Sequence, residues 1–152
     1  MTKVRKLDIE YSPDFLAIAI FTAQKGYRLC WLLNQQLNTS FTRLPDFSLK
    51  VGKDQEERKM PVFGHEDPLL FDRFYLLTNK HQGIVCIDSP QNMDFLMLIK
   101  RPSDQFDMKA LLKKLRDIPQ VNAAIEADTL LGKASGGLFY DFDTYLALEK
   151  NK

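Results

Sequence analysis

Apolar and polar positions alternate as soon as the chain begins. Leu7, Ile9 and Tyr11 are separated by Asp8 and Glu10, the period of two that marks a half-buried strand. Ser12, Pro13 and Asp14 then form a turn signal. Residues 15–21 (FLAIAIF) are apolar throughout and admit either strand or helix. Ser12 as cap with Pro13 in the first turn would suit a helix. The shortness of the run and its isoleucines favour a strand paired with the first one. From residue 27 the period changes: Leu29, Leu32, Leu33 and Leu37 share one face, which predicts a helix over 27–37. Residues 41–51 carry Leu44, Phe47, Leu49 and Val51 around Pro45, as an edge or broken strand would.

Further along, residues 53–59 (KDQEERK) form a charged loop, and 60–63 and 69–78 are strands on either side of a GHEDP turn. Residues 83–87 make a short apolar run, and 94–100 (DFLMLIK) have the near-continuous apolarity of a central strand covered on both faces. In residues 106–117, Phe106, Met108, Leu111, Leu112 and Leu115 line one stripe opposite Lys109, Lys113, Lys114 and Arg116, so an amphipathic helix is expected. Pro119 stops it and 121–128 returns to strand. This strand–helix–strand unit resembles half of a split βαβ arrangement. The fold class is therefore α+β: an antiparallel or mixed sheet with two main helices and a C-terminal strand-helix-strand unit. No repeat or linker interrupts the chain, so residues 1–152 form one domain, with 139–152 as a loosely packed tail.

Composition narrows the function more than it names it. The 152 residues carry 21 basic and 20 acidic side chains, which disfavours a nucleic-acid binder, since phosphate neutralisation drives that affinity. A basic stripe would require the Lys109 to Arg116 helix face to join Lys3, Arg5 and Lys6. Cys30 and Cys86 each lie in apolar runs, where a thiol packs as a small hydrophobe. There is no signal-like segment and no run long enough to cross a membrane, so a reducing, cytoplasmic setting is expected.

Candidate chemistry is sparse. His65 and His81 have no metal-ligand spacing around them and belong to surface turns, so no metal or cofactor is expected. Gly132-Lys133-Ala134 lacks the first glycine and the hydroxyl of a phosphate loop and suits a flexible loop. Asp141 and Asp143 do not make up a complete catalytic set, because too little chain follows them. No catalytic residue is assigned, and an enzyme is disfavoured. Two weaker constellations remain. Trp31, the one tryptophan, belongs by spacing to the helix core; the alternative is an exposed anchor, with Tyr27 and Arg28, for a protein partner. His65, Glu66, Asp94 and Glu126 are ionisable groups beside apolar runs that a fold could gather into a small-molecule or enzymatic site.

The segments LDIEY at 7–11, YRLCWLLN at 27–34, DFLMLI at 94–99 and Ile118-Pro119-Gln120 together resemble the IPExxxVDY family. This is a bacterial family of similar length without an assigned activity. At the naming motif Gln120 stands for its Glu, and Ile125 and Glu126 for its Asp and Tyr. The resemblance implies a small cytoplasmic α+β protein in which Pro119 ends a helix and Ile118 fills the core. The functional expectation is a non-enzymatic binding or regulatory domain, acting through a protein partner or a homodimer.

Overall fold

Along Phe15–Thr22 (β1) the side chains alternate between two cores. Ala17 and Ala19 enter one, and Ile18 and Ile20 the other. The computed structural model describes residues 15–51, 56–66, 73–87, 92–100, 102, 104–127 and 134–150. After β1 come Gly26–Leu37 (α1), Thr42–Val51 (β2), Glu56–Glu66 (β3), Arg73–Thr78 (β4), Lys80–His81 (β5), Ile84–Val85 (β6) and Phe95–Lys100 (β7). Met108–Arg116 (α2), Val121–Glu126 (β8) and Ala134–Lys150 (α3) complete the described elements. Six strands form an antiparallel sheet in the order β2-β3-β4-β7-β1-β8, and β5 pairs with β6 in a separate two-stranded ribbon. The architecture is α+β, as the pattern implied.

Helices cover both faces of the sheet. Leu29, Cys30 and Leu33 of α1 and Leu111, Leu112 and Leu115 of α2 share a core with Ile18, Ile20, Leu76, Met97 and Ile99. On the other face α3 brings Leu138, Phe139, Phe142 and Leu146 against Ala17, Ala19, Tyr75, Leu77, Leu96 and Leu98. The alanines of β1 leave room for rings. Phe142 lies 5.3–6.0 Å from Phe47, Tyr75 and Phe15, each in an edge-on arrangement, and stacks on Tyr145 at 5.2 Å. Such tilted aromatic pairs add to the stabilisation that burial itself provides.

Both β7 and β8 run antiparallel to β1, which lies between them, so they are parallel to one another. The β7-α2-β8 unit is thus a split βαβ. Helix α2 begins at Met108 because Asp107 caps it, its Oδ1 accepting from the Ala110 amide at 3.1 Å. Lys113, Lys114 and Arg116 occupy its last turn, where cations suit the helix dipole. Ile118 is buried just beyond. The broken edge strand at Pro45 is present as well: β2 is a sheet edge, and its register against β3 shifts between Leu44 and Phe47.

Several expectations are corrected. The charged loop is strand from Glu56 onward, because Glu56 to Lys59 pair with Val51 to Ser48 of β2. Gly64 to Glu66, expected in the GHEDP turn, extend β3 against Tyr75 to Arg73, and the rest of that expected turn lies outside the described residues. The loosely packed tail is helix α3, whose aromatic residues complete a core. Ala134 to Gly137, expected in a flexible loop, are part of that helix. Residues 15–21 are strand, but not in the pairing expected: β7 and β8 occupy both hydrogen-bonding edges of β1 across Ile18 to Ile20. The strand expected at 7–11, the turn at 12–14 and Gly132-Lys133 lie outside the described residues.

Candidate functional site

The short link from β1 to α1 builds the wall of a cavity. The register of β1 shifts between Phe21 and Thr22, and the chain is fixed there from three directions. The Thr22 amide donates to Asp94 Oδ2 at 2.9 Å, Thr22 Oγ1 donates to the Gln120 carbonyl at 2.6 Å, and the Gln24 amide donates back to Thr22 Oγ1 at 3.2 Å. Asp94 is itself held, its amide donating to the Ile20 carbonyl at 3.1 Å and its Oδ1 pairing with Lys80 Nζ at 3.2 Å. Only Ala23, Gln24 and Lys25 then separate β1 from α1.

The first residue of α1 must be small. A β-carbon on Gly26 would lie 2.7 Å from Phe63 Cε1 and 3.5 Å from Thr78 Oγ1. Glycine therefore lets the helix start approach β3 and β4. Below that junction is a cavity of about 740 Å³ lined by Thr22, Lys25, Gly26, Phe63, Thr78 and Asp94, with Tyr27, Arg43, Lys80, His81 and Phe95 among its other walls. Its size falls within the range of small-molecule sites. The Arg43 guanidinium lies 5.5 Å from the centre of the Phe63 ring and is ion-paired with Asp46.

A second hollow of about 650 Å³ opens near the far end of β3, lined by Ser40, Thr42, Gly64, His65, Glu66 and Tyr75 among others. His65 is in a strand, not a surface turn. Its Nδ1 accepts from the Ser40 amide at 3.0 Å, and its ring lies between Phe41 and Phe74, at 5.9 and 6.0 Å. Tyr75 donates to Glu66 Oε1 at 2.9 Å. Burial first, and then the Glu66 charge, pushes the Tyr75 phenol well above its ordinary range. This hollow has a histidine fixed as an acceptor and a tyrosine that keeps its proton.

The four ionisable candidates do not form one site. His65 and Glu66 line the second hollow, whereas Asp94 lines the first. Strand pairing places His65 opposite Phe74 and Phe74 opposite Ile99, five residues along β7 from Asp94. At strand rise this is about 17 Å. Glu126 is exposed at the end of β8, on the sheet's opposite flank. His81, expected in a surface turn, is half-buried in β5 and reaches the first cavity. Among the described residues no cluster of three or more His, Cys, Asp or Glu could hold a metal ion.

Trp31 corrects the core expectation. Leu29, Cys30 and Leu33 take the buried face of α1, while Trp31 is 51% and Tyr27 70% exposed. The Arg28 guanidinium covers the Trp31 ring at 4.5 Å from its centre. The three candidate anchor residues thus form an exposed group, and Tyr27 also borders the cavity. Both thiols are free and buried. Burial pushes the Cys30 thiol up to about 12 and also raises Cys86, against an opposing effect of Arg58. Asp143 pairs with Lys100 Nζ at 2.7 Å, and Thr144 donates to the Tyr140 carbonyl one turn back in α3. The Asp143 pair ties α3 to β7, and the Thr144 bond stays within the helix.

Sequence reasoning passed over Gly26, Phe63, Thr78 and Lys25. The one local signal was a glycine between an apolar run and a helical pattern, which is compatible with a close approach of backbone. Comparison of the chain with protein-family models, with curated proteins and with solved structures finds no match in any of the three.

Proposed function

We propose that this protein is a non-enzymatic binding domain whose ligand is a small molecule held in the cavity at the start of α1. The observation that carries this is the convergence of seven elements, β1, α1, β2, β3, β4, β5 and β7, on one concave, largely apolar space beside a helix N-terminus. Clefts of this volume with a few fixed polar groups are the usual form of a ligand site. The separation of His65 and Glu66 from Asp94 and Glu126, and the raised thiols, support binding over catalysis. A cytoplasmic setting belongs to the same proposal and is supported by the two free, buried cysteines. Among the described residues no helix is long and apolar enough to cross a membrane.

The test is a fragment screen read by amide chemical shifts. Binders are expected to shift residues around Thr22 to Tyr27, Thr78 and Phe95 together. Shifts spread over the surface, or confined to the His65 hollow, would overturn the assignment.

A second reading has its own observation. The exposed Tyr27, Arg28 and Trp31 group supports contact with a protein partner or a second copy of the chain, as the residue types favoured at binding hot spots do. Sedimentation of the wild type against Trp31→Ala tests the self-association form: a dimer that dissociates on substitution supports it, and a wild-type monomer removes it.

A further inference from the structure

We infer that the cavity at the start of α1 takes an anionic small molecule, its carboxylate or phosphate head against the first amides of α1 and the Thr78 hydroxyl, its apolar body against Phe63 and Phe95. This rests on the reading of that cavity as the ligand site and names the chemistry of what enters it.

The groups presented there are donors in need of an acceptor. Helix α1 has twelve residues, and the first bond within it runs from the Leu29 amide to the Lys25 carbonyl at 2.9 Å. The amides of Gly26, Tyr27 and Arg28 therefore have no carbonyl to meet inside the helix. Lys25, at the cap position, supplies no side-chain acceptor, and the first turn contains no acidic residue. An uncapped helix start carries a partial positive charge, and its amides are suited to an oxyanion.

Thr78 is the independent observation. It is 6% exposed, it lines the same cavity, and its Oγ1 has no hydrogen-bond partner among the described residues. The hydroxyl stands beside Gly26, at the 3.5 Å that separates it from a β-carbon position on that residue. Buried hydroxyls are almost always paired, because an unpaired one is unfavourable. An unpartnered hydroxyl beside the helix-start amides of Gly26 and Tyr27, whose residues line the same cavity, marks the place of a missing acceptor.

The surrounding charges agree. Among the described residues Asp94 is the one carboxylate in the lining, and both of its oxygens are engaged, by the Thr22 amide and by Lys80. Arg43 is engaged by Asp46. Lys25 forms no ion pair with any described residue, so the lining keeps an unmatched positive charge next to the open amides. Phe63 and Phe95 supply the apolar wall that an inorganic ion alone would not need.

The experiment titrates the protein with phenyl phosphate, benzoate, inorganic phosphate and the neutral benzyl alcohol, following amide shifts and thermal midpoint. At least one aromatic anion is expected to bind saturably at Gly26 to Arg28 and Thr78, about tenfold more tightly than benzyl alcohol. The preferred head separates a phosphate from a carboxylate ligand, and weaker binding of inorganic phosphate shows the use of the apolar wall. Thr78→Val removes an unpaired hydroxyl, so it should raise the thermal midpoint of the free protein while weakening the anion several-fold. Lys25→Ala, a surface change, should weaken the anion and flatten its salt dependence. Equal binding of benzyl alcohol, unchanged anion affinity in Thr78→Val, or no anion binding overturns this inference. Neutral compounds that still collect in the cavity would leave the broader ligand-site reading standing, whereas an empty fragment screen would remove both.

Discussion

The side-chain amide of Asn79 pairs with the backbone of Ile87 as one strand pairs with another. Asn79 Nδ2 donates to the Ile87 carbonyl at 3.1 Å, and the Ile87 amide donates to Asn79 Oδ1 at 2.6 Å. The second Nδ2 hydrogen goes to the Met93 carbonyl at 2.9 Å, and Asn79 is wholly buried. One side chain thereby satisfies three backbone groups where β4 gives way to the β5–β6 ribbon. Asn79→Ala strands all three, and a loss of about 3 kcal/mol is expected. Asn79→Asp replaces two donors with a buried charge and should be no better tolerated. Urea denaturation measures both; a loss under about 1 kcal/mol would show that water replaces the network.

Gly26→Ala places a methyl group 2.7 Å from Phe63 Cε1. The Phe63 ring is buried and must move into the cavity to admit it. A cost of about 1–3 kcal/mol is expected, opposing the smaller gain that alanine has over glycine in a helix. Binding in the cavity should fall further than stability does. Stability together with a ligand titration, on the same variant, reads the two effects.

Cys30 and Tyr145 make the fold sensitive to alkali. Both are weak acids raised to about 12, Cys30 from 9.0 and Tyr145 from 10.0, with burial the leading cause in each. A raised acid keeps its proton longer in the folded state than in the unfolded one. Its contribution is complete below the unfolded value and declines as pH climbs toward the folded value. For Cys30 that window begins near 9, and the slope is about 1.4 kcal/mol per pH unit for one proton. Denaturation midpoints should fall above pH 9 in the wild type and less steeply in Cys30→Ala. Ellman's reagent should leave both thiols intact below that window until the protein unfolds.

Two aromatic substitutions should separate surface from core. Trp31→Ala removes an exposed ring and is expected to change stability by no more than about 0.5 kcal/mol. Phe142→Ala opens a space among Phe15, Phe47, Tyr75 and Tyr145 and should cost about 3–5 kcal/mol. Thermal or urea unfolding of the two variants decides it, and similar losses would contradict the exposure of Trp31.

The elements most legible in the sequence were those whose burial is local in origin. Leu111, Leu112 and Leu115 identify α2, and the run from Phe95 to Ile99 identifies a strand covered twice. Helix α3 was obscured because its apolar residues from Leu138 to Leu146 follow two glycines and are interleaved with acids, so that no clean stripe shows. Trp31 was misplaced because α1 carries apolar residues beyond its buried face, and periodicity alone cannot rank them. The cavity could not be read at all. It depends on Thr22 meeting Asp94 across 72 positions and Gln120 across 98, contacts that leave no trace in local spacing.

The position of β1 between β7 and β8 also sets an order of events during synthesis. Its partners in the flanking strands are encoded 75 to 108 residues later, the last being Glu126. Until β7 emerges Ile18 and Ile20 have neither sheet edge satisfied, and one edge stays open until β8 follows; an unpaired apolar strand is prone to associate with other chains. The nascent chain must therefore carry one of its future interior strands unprotected while about a hundred further residues are made. Chaperone capture of stalled chains should cease only once β8 has emerged.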